Sequence, residues 1–126
     1  MISDVRIDDR LIHGQVCGYW IPQNSINKIV IVDDEIVHDK NRKTALRFGC
    51  PEKVSLSFHS SLKTAEILKN GGDEGSNVMI LCTNPKPILD MIEAGYHFDK
   101  ITVGNISPHD KSDVHIKGTT YVNQQD

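Results

Sequence analysis

Two unbroken runs of apolar residues constrain the fold of this chain most strongly. Residues 28–32 read Lys-Ile-Val-Ile-Val, and residues 77–82 contain Val-Met-Ile-Leu. A strand that is apolar on both faces is typical of a parallel sheet covered by helices on both sides, because a sheet with one wet face alternates apolar and polar residues. The two runs therefore predict an α/β fold.

The rest of the chain alternates short strands with helical segments. Further strands are predicted at residues 2–7, 54–58, 100–103 and 119–122, and helices at residues 14–21, 39–48, 61–69 and 85–94. We expect Pro22, with Asn24 and Ser25, to end the first helix. Ser60 or Ser61 should cap the third helix, and Gly95 should close the fourth. This alternation predicts one domain over residues 1–126, built on an open, mostly parallel twisted sheet with helices on both faces.

Composition excludes several classes of protein. The chain has 126 residues, a formal charge of −3 and no run of lysine or arginine, so nucleic-acid binding is not expected. No apolar run approaches the length of a membrane span. Three widely spaced cysteines favour reduced cytosolic thiols over a disulfide framework or a metal site. We expect neither a metal nor a cofactor.

The first predicted strand runs directly into a polar segment and then into a helix. Residues 6–16 read Arg-Ile-Asp-Asp-Arg-Leu-Ile-His-Gly-Gln-Val. A strand end that turns into a helix is where open α/β sheets bind ligands, and the first helical turn favours an anion. Arg10 can bind two phosphate oxygens at once, and the neutral imidazole of His13 is a good nucleophile near pH 7. The segment therefore predicts a phosphate-handling site.

This same segment resembles the active-site signature of the IIB component of the mannose/fructose/sorbose class of bacterial sugar phosphotransferase systems. Weaker similarities follow at residues 29–37, 42–46 and 101–106, so the resemblance covers essentially the whole chain. Members of that family usually continue through one more helix and strand beyond about residue 122. The sequence is therefore expected to be a C-terminally short IIB-like domain.

The resemblance implies a cytoplasmic phosphocarrier. His13 aligns with the family's phosphohistidine, which accepts a phosphoryl group from the IIA component. It then passes the group to a sugar held by the IIC/IID membrane complex. The sugar is left open among mannose, fructose, sorbose and an amino sugar.

The candidate site residues fall into three sets. We expect a catalytic set of His13, Arg10 and Asp9, and a phosphate-binding set of Gly14, Gln15 and Arg6, with a structural ion pair as the alternative for Arg6. A possible pocket comprises Asp8, Asp33, Asp34, Asn105 and Ser107. One of Asp8 and Asp9 should orient Arg10 or fix the tautomer of the imidazole, and residue type alone does not decide which. Helix capping is the alternative for Asp33 and Asp34.

Two other functional interpretations stay open from the sequence. Carboxylates at the ends of two strands also fit a receiver-like signalling domain phosphorylated on an aspartate, although that function leaves His13 and Arg10 without a role. A shortened, non-catalytic member of the family is the other alternative. Because the loss of an edge element exposes a strand, self-association into a homo-oligomer is also open.

Overall fold

The computed structural model describes residues 2–12, 18, 21–23 and 25–104, together with the backbone of residues 120–123. Its elements in chain order are strand β1 (Ile2–Ile7), helix α1 (Ile21–Gln23), strand β2 (Lys28–Val32), a 3₁₀ helix (Ile36–His38), helix α2 (Lys40–Gly49), strand β3 (Ser55–His59), helix α3 (Ser61–Lys69), strand β4 (Val78–Cys82), helix α4 (Lys86–Glu93), strand β5 (Lys100–Val103) and strand β6 (Thr120–Asn123).

The six strands form one sheet in the order β3-β2-β4-β1-β5-β6, and every pair is parallel. Strand β4 enters between β2 and β1, so the two most apolar strands lie side by side in the interior. All five residues of β4 are buried. The predicted α/β class, with a parallel sheet, is confirmed.

Helices cover both faces of this sheet, as predicted. One core lies between the sheet and helices α3 and α4, with Leu68 and Ile88 as helix residues packed against it. A second core on the opposite face contains Ile21 of α1 and Ile36 of the 3₁₀ helix, with Leu46 of α2 packed against it. Alternate strand residues feed the two cores, since successive side chains of a strand point to opposite faces.

The two faces explain where the sheet opens. The chain leaves β4 towards the face of α4, whereas it leaves both neighbouring strands, β1 and β2, towards the opposite face. Connections that diverge from adjacent strands leave a crevice at the carboxyl ends of those strands. The carboxyl end of β4 is therefore the natural ligand position of this fold.

Local sequence signals account for the helix starts. The Asp39 side chain accepts a hydrogen bond from the Arg42 amide at 3.1 Å, which caps α2. Ser60 accepts from the Lys63 amide at 3.2 Å and is the cap of α3. Gly95 follows α4 with a φ of 100°, a left-handed conformation that suits glycine at a helix end. The predicted caps of α3 and α4 are thereby confirmed.

The predicted helix over residues 14–21 lies largely outside the described residues. Pro22 itself lies inside α1, and Ser25, which was expected to help end the helix, follows with a φ of 52°. A proline is tolerated in a first helical turn because its missing N–H is not needed there. The 3₁₀ helix was not predicted, because Asp33 creates it locally by accepting hydrogen bonds from the amides of Glu35 and Ile36.

Candidate functional site

A polar cleft lies at the carboxyl ends of β1, β2 and β4, where the fold predicts a ligand position. Its volume is about 380 Å³. The cleft is lined by residues from three strand ends and two helices, namely Asp9, Asp33, Asp34, Glu35, Arg42, Thr83, Asn84, Lys86, Pro87 and Asp90. The loop after β1 thus brings Asp9 of the signature to the same edge as the acidic residues after β2.

Asp8 holds Arg10 in a fixed orientation. The Arg10 Nε donates to Asp8 Oδ1 at 3.1 Å, and Nη2 donates to Asp8 Oδ2 at 3.0 Å. The Arg10 backbone amide also donates to Oδ1 at 3.0 Å. Asp8 is fully buried, whereas 35% of the Arg10 side chain is exposed. A buried carboxylate is stable only when it is paired and hydrogen-bonded, so this two-pronged pair fixes the plane of the guanidinium.

This contact answers the question that residue type left open. The carboxylate that orients Arg10 is Asp8, which the sequence analysis placed in the wider pocket set. Asp9, which it grouped with Arg10 as catalytic, is exposed and lines the cleft.

The turn after β1 depends on a buried leucine. The Leu11 amide donates to the Asp8 carbonyl at 3.0 Å, and Leu11 has a φ of 56°. This left-handed conformation is unfavourable for a bulky residue and persists only where the surroundings impose it. The Leu11 side chain is 1% exposed and belongs to the second core, so packing holds the turn in place.

Arg6 lies inside the sheet. It is 1% exposed, and its Nη1 lies 3.5 Å from Asp4 Oδ2. The Thr102 hydroxyl donates to the other Asp4 oxygen at 3.3 Å. Burial raises the pKa of Asp4, and the charge of Arg6 opposes that shift. These contacts favour the structural ion pair over the phosphate-binding role for Arg6.

Asp33 and Asp34 both stabilise backbone turns. Besides accepting from the amides of Glu35 and Ile36, Asp33 accepts a hydrogen bond from the Thr83 hydroxyl at 3.2 Å. Asp34 accepts from the Ser61 amide at 2.9 Å, in the first turn of α3. Each carboxylate therefore ties the end of β2 to a neighbouring element, and both also line the cleft.

Several cleft residues were missed by the sequence analysis. Thr83 and Asn84 follow β4 directly, and the rule that polar residues after adjacent parallel strands meet at one edge could have indicated them. Lys86 and Arg42 bring positive charge to an otherwise acidic wall. Lys86 Nζ lies 2.8 Å from Asp90 Oδ2, and this contact raises the pKa of Lys86.

Five predicted site residues lie outside the described residues. They are His13, Gly14, Gln15, Asn105 and Ser107. Ile12 is the last described residue before His13, and Gly104 is the last described residue before Asn105. Gly104 follows β5, and its amide donates to the Ile7 carbonyl at 2.8 Å, so the strand that leads to Asn105 ends beside Asp8.

Comparison with known proteins identifies the family. The family model of the PTS (phosphotransferase system) sorbose subfamily IIB component matches residues 2–126. The chain belongs to this family. The resemblance carried by residues 6–16 is therefore confirmed.

Individual relatives agree with this assignment. The fructose-specific EIIB component of Bacillus subtilis (strain 168) is 38% identical over 101 residues, which are 80% of this chain and 62% of that protein. The sorbose-specific EIIB component of Lacticaseibacillus casei is 31% identical over 106 residues, 84% of this chain and 65% of that protein. The chain thus spans less than two thirds of the length of these relatives.

A solved structure shares the fold of this IIB family member. The IIBSor domain of the sorbose permease from Klebsiella pneumoniae superimposes with a TM-score of 0.84 at 26% identity, covering 98% of this chain and 87% of that one. Across the described ranges, no helix is long and apolar enough to cross a bilayer.

The family assignment also argues against the receiver-like alternative. The family model matches residues 2–126, whereas the receiver-like interpretation leaves His13 and Arg10 without a role. Asp33 and Asp34 are engaged by backbone amides.

Proposed function

We propose that this IIB family member is a cytoplasmic phosphocarrier of sugar uptake, with His13 as the group that is phosphorylated. The observation that carries the proposal is the two-pronged contact of buried Asp8 with half-exposed Arg10, three residues before His13. It supplies an oriented cation at the carboxyl end of the sheet. Family membership supports the assignment of His13 to the phosphohistidine.

The first transfer moves a phosphoryl group between two imidazoles. The lone pair of the unprotonated His13 nitrogen attacks phosphorus while the N–P bond of the IIA phosphohistidine breaks. The departing imidazole keeps the electron pair, so no proton has to move at that nitrogen. Such a reaction requires alignment and neutralisation of charge on the equatorial oxygens rather than further covalent chemistry.

Arg10 is suited to stabilise that charge. A guanidinium has five N–H donors in a rigid plane, and Asp8 uses two of them. The plane is therefore held by Asp8, and the partly exposed guanidinium can face the equatorial oxygens. Asp9 lines the cleft beside this group and is proposed to act in the same catalytic set. Gly14 and Gln15 are proposed to contact the phosphate through the following helical turn.

The second transfer passes the phosphoryl group to a sugar hydroxyl. The hydroxyl oxygen attacks phosphorus, the N–P bond of His13 breaks, and the hydroxyl proton leaves to a base. We propose that the sugar is bound by IIC/IID membrane components and that a IIA protein is the donor. Related proteins are named for fructose, sorbose, mannose and N-acetylgalactosamine, so the sugar is proposed only as a hexose or amino sugar of this class.

Phosphorylation in a reconstituted system tests this proposal. The protein is incubated with phosphoenolpyruvate, the general phosphotransferase proteins and a IIA of this class, and its intact mass is measured. We expect one phosphoryl group on the wild type, labile in acid and stable in base, and none on His13→Ala.

His97→Ala is the matched control, because His97 is an exposed histidine in the loop between α4 and β5. It should be phosphorylated like the wild type. A phosphoryl group that persists on His13→Ala would remove His13 as the acceptor. A folded wild type that stays unmodified with an active donor would favour the non-catalytic alternative.

A further inference from the structure

Gly104 lies against the carboxylate that orients Arg10. A methyl group placed at its Cα would lie 2.7 Å from Asp8 Oδ2 and 3.3 Å from Asp8 Cγ. The first distance is shorter than any normal contact of a Cβ atom. The glycine is not required for backbone conformation, because its φ lies outside the left-handed region that Gly71, Gly75 and Gly95 occupy. Space for Asp8 is therefore the reason for a glycine here.

The backbone around this contact cannot easily give way. The Gly104 amide donates to the Ile7 carbonyl, and the Asp8 amide donates to the Cys82 carbonyl, both at 2.8 Å. Ile7 also pairs with Val103 in the sheet. Three strand ends are thus joined at this point, whereas the Asp8 carboxyl group can rotate about its side-chain bonds.

A side chain at position 104 would therefore act on Asp8 rather than on the sheet. Rotation of Asp8 would break its two hydrogen bonds to the Arg10 guanidinium and weaken the bond from the Arg10 amide. The guanidinium, which is partly exposed, would then no longer be held in one plane by Asp8. The expected damage is to the orientation of the cation and not to the packing of the strands.

We propose that Gly104 is a positioning residue for phosphoryl transfer, acting through Asp8 on Arg10. The proposal rests on the phosphocarrier function proposed above. The contact of Gly104 with Asp8 joins the end of β5 to the turn after β1, although the two residues lie far apart in the sequence.

The test is a double-mutant cycle on the rate of phosphorylation by phospho-IIA, measured by rapid quench and intact mass. The four proteins are wild type, Gly104→Ala, Arg10→Ala and the double variant. Since small misplacements of a reacting group can cost two orders of magnitude, Gly104→Ala should lower the rate of the wild type by about 10- to 100-fold. In the Arg10→Ala background it should change the rate by less than about twofold, because coupled residues are not additive.

Gly75→Ala is the control for general destabilisation. Gly75 has a φ of 80° and an open surrounding, in the loop before β4 at the opposite end of the sheet. Its substitution should lower the free energy of unfolding without changing the rate. Gly104→Ala should lower the rate while its unfolding transition stays cooperative. Loss of the cooperative unfolding transition in Gly104→Ala would contradict the proposal, since it assigns the damage to one side chain.

The outcomes separate the two proposals. Equal losses of rate from Gly104→Ala in both backgrounds would overturn the role of Gly104 and leave the phosphocarrier function intact. A wild type that accepts no phosphoryl group would overturn the function, and with it the role of Gly104. Asp8→Ala provides a second background, in which the added methyl group has room and should cost no further rate.

Discussion

The chain contains the pattern Asp-x-Arg twice within ten residues, and the two copies form different structures. Asp4 and Arg6 lie in strand β1, both largely buried, with one contact of 3.5 Å. Asp8 and Arg10 lie in the turn that follows, with two side-chain hydrogen bonds of 3.0 and 3.1 Å. In a strand, residues two apart point the same way but stand about 6.6 Å apart. In the turn the chain folds back, so the two groups meet side by side.

The difference shows how backbone conformation assigns a role to a residue type. The pair in the strand is enclosed, which favours a structural role. The pair in the turn buries its carboxylate and leaves the guanidinium partly in solvent. An oriented and accessible cation is what a transferring phosphoryl group needs.

The largest expected effect is a loss in the free energy of unfolding when Arg6 of the strand pair is replaced. Arg6→Ala leaves the buried Asp4 without its cation, and breaking a buried ion pair costs about 3–5 kcal/mol. We expect a loss in the free energy of unfolding near the lower end of this range, because Asp4 can respond by taking up a proton. Urea denaturation at neutral pH measures it. A loss of less than about 1 kcal/mol would contradict a stabilising role for the pair in the strand.

The next effect is on the rate of phosphorylation and concerns Arg10. Arg10→Lys keeps the charge but loses the planar, two-pronged contact with Asp8. We expect the rate of phosphorylation by phospho-IIA to fall by about 10- to 100-fold, less than the full loss of a transition-state donor. Because the lysine ammonium can still pair with buried Asp8, the free energy of unfolding should fall by less than about 3–5 kcal/mol, which is what the loss of a partner from a buried ion pair costs. An unchanged rate would mean that charge alone is sufficient at this position.

The smallest effect is a dependence on pH that arises from Asp4 in the strand. Because burial raises the pKa of Asp4, the folded state holds this proton more tightly than the unfolded state does. The resulting stabilisation is complete below the unfolded pKa near 3.8 and is lost as the pH rises through the folded value. Asp4 thus makes the free energy of unfolding fall as the pH rises, and Asp4→Asn should remove this fall.

Denaturation curves between pH 3.5 and neutrality, roughly the range in which carboxyl groups titrate, would reveal the change. Just above the unfolded pKa, the slope of the free energy of unfolding against pH should be more positive in Asp4→Asn than in the wild type. Identical slopes in the two proteins would contradict the assigned direction of the shift.

Much of the fold could be predicted because its signals are local. The β-branched run at Lys28–Val32 and the serine before α3 act through neighbours in the sequence, and both were interpreted correctly. The parallel sheet followed from the same runs. The 3₁₀ helix Ile36–His38 was missed, because a single carboxyl group, that of Asp33, gathers two amides there and no periodic pattern records it.

The site was less predictable, because its geometry depends on contacts between distant residues. Nothing in the pattern Asp-Asp-Arg states which carboxylate turns back to the arginine. That choice depends on burial of Asp8 beneath the end of β5, where Gly104 makes room. The engagement of Asp34 by Ser61 likewise appears only once β2 and α3 are placed together. The assignment of His13 remains a prediction from the sequence and the family.

The left-handed turn at Leu11 has a consequence for how heat would affect this protein. A leucine in that conformation destabilises the folded state by about 1–2 kcal/mol, and burial of its side chain stabilises it by a similar amount. The two nearly cancel, so the left-handed conformation of Leu11 depends on the second core staying packed. When warming loosens the second core, the turn should therefore relax while the strands are still paired, and phosphoryl transfer would fail at a lower temperature than the sheet.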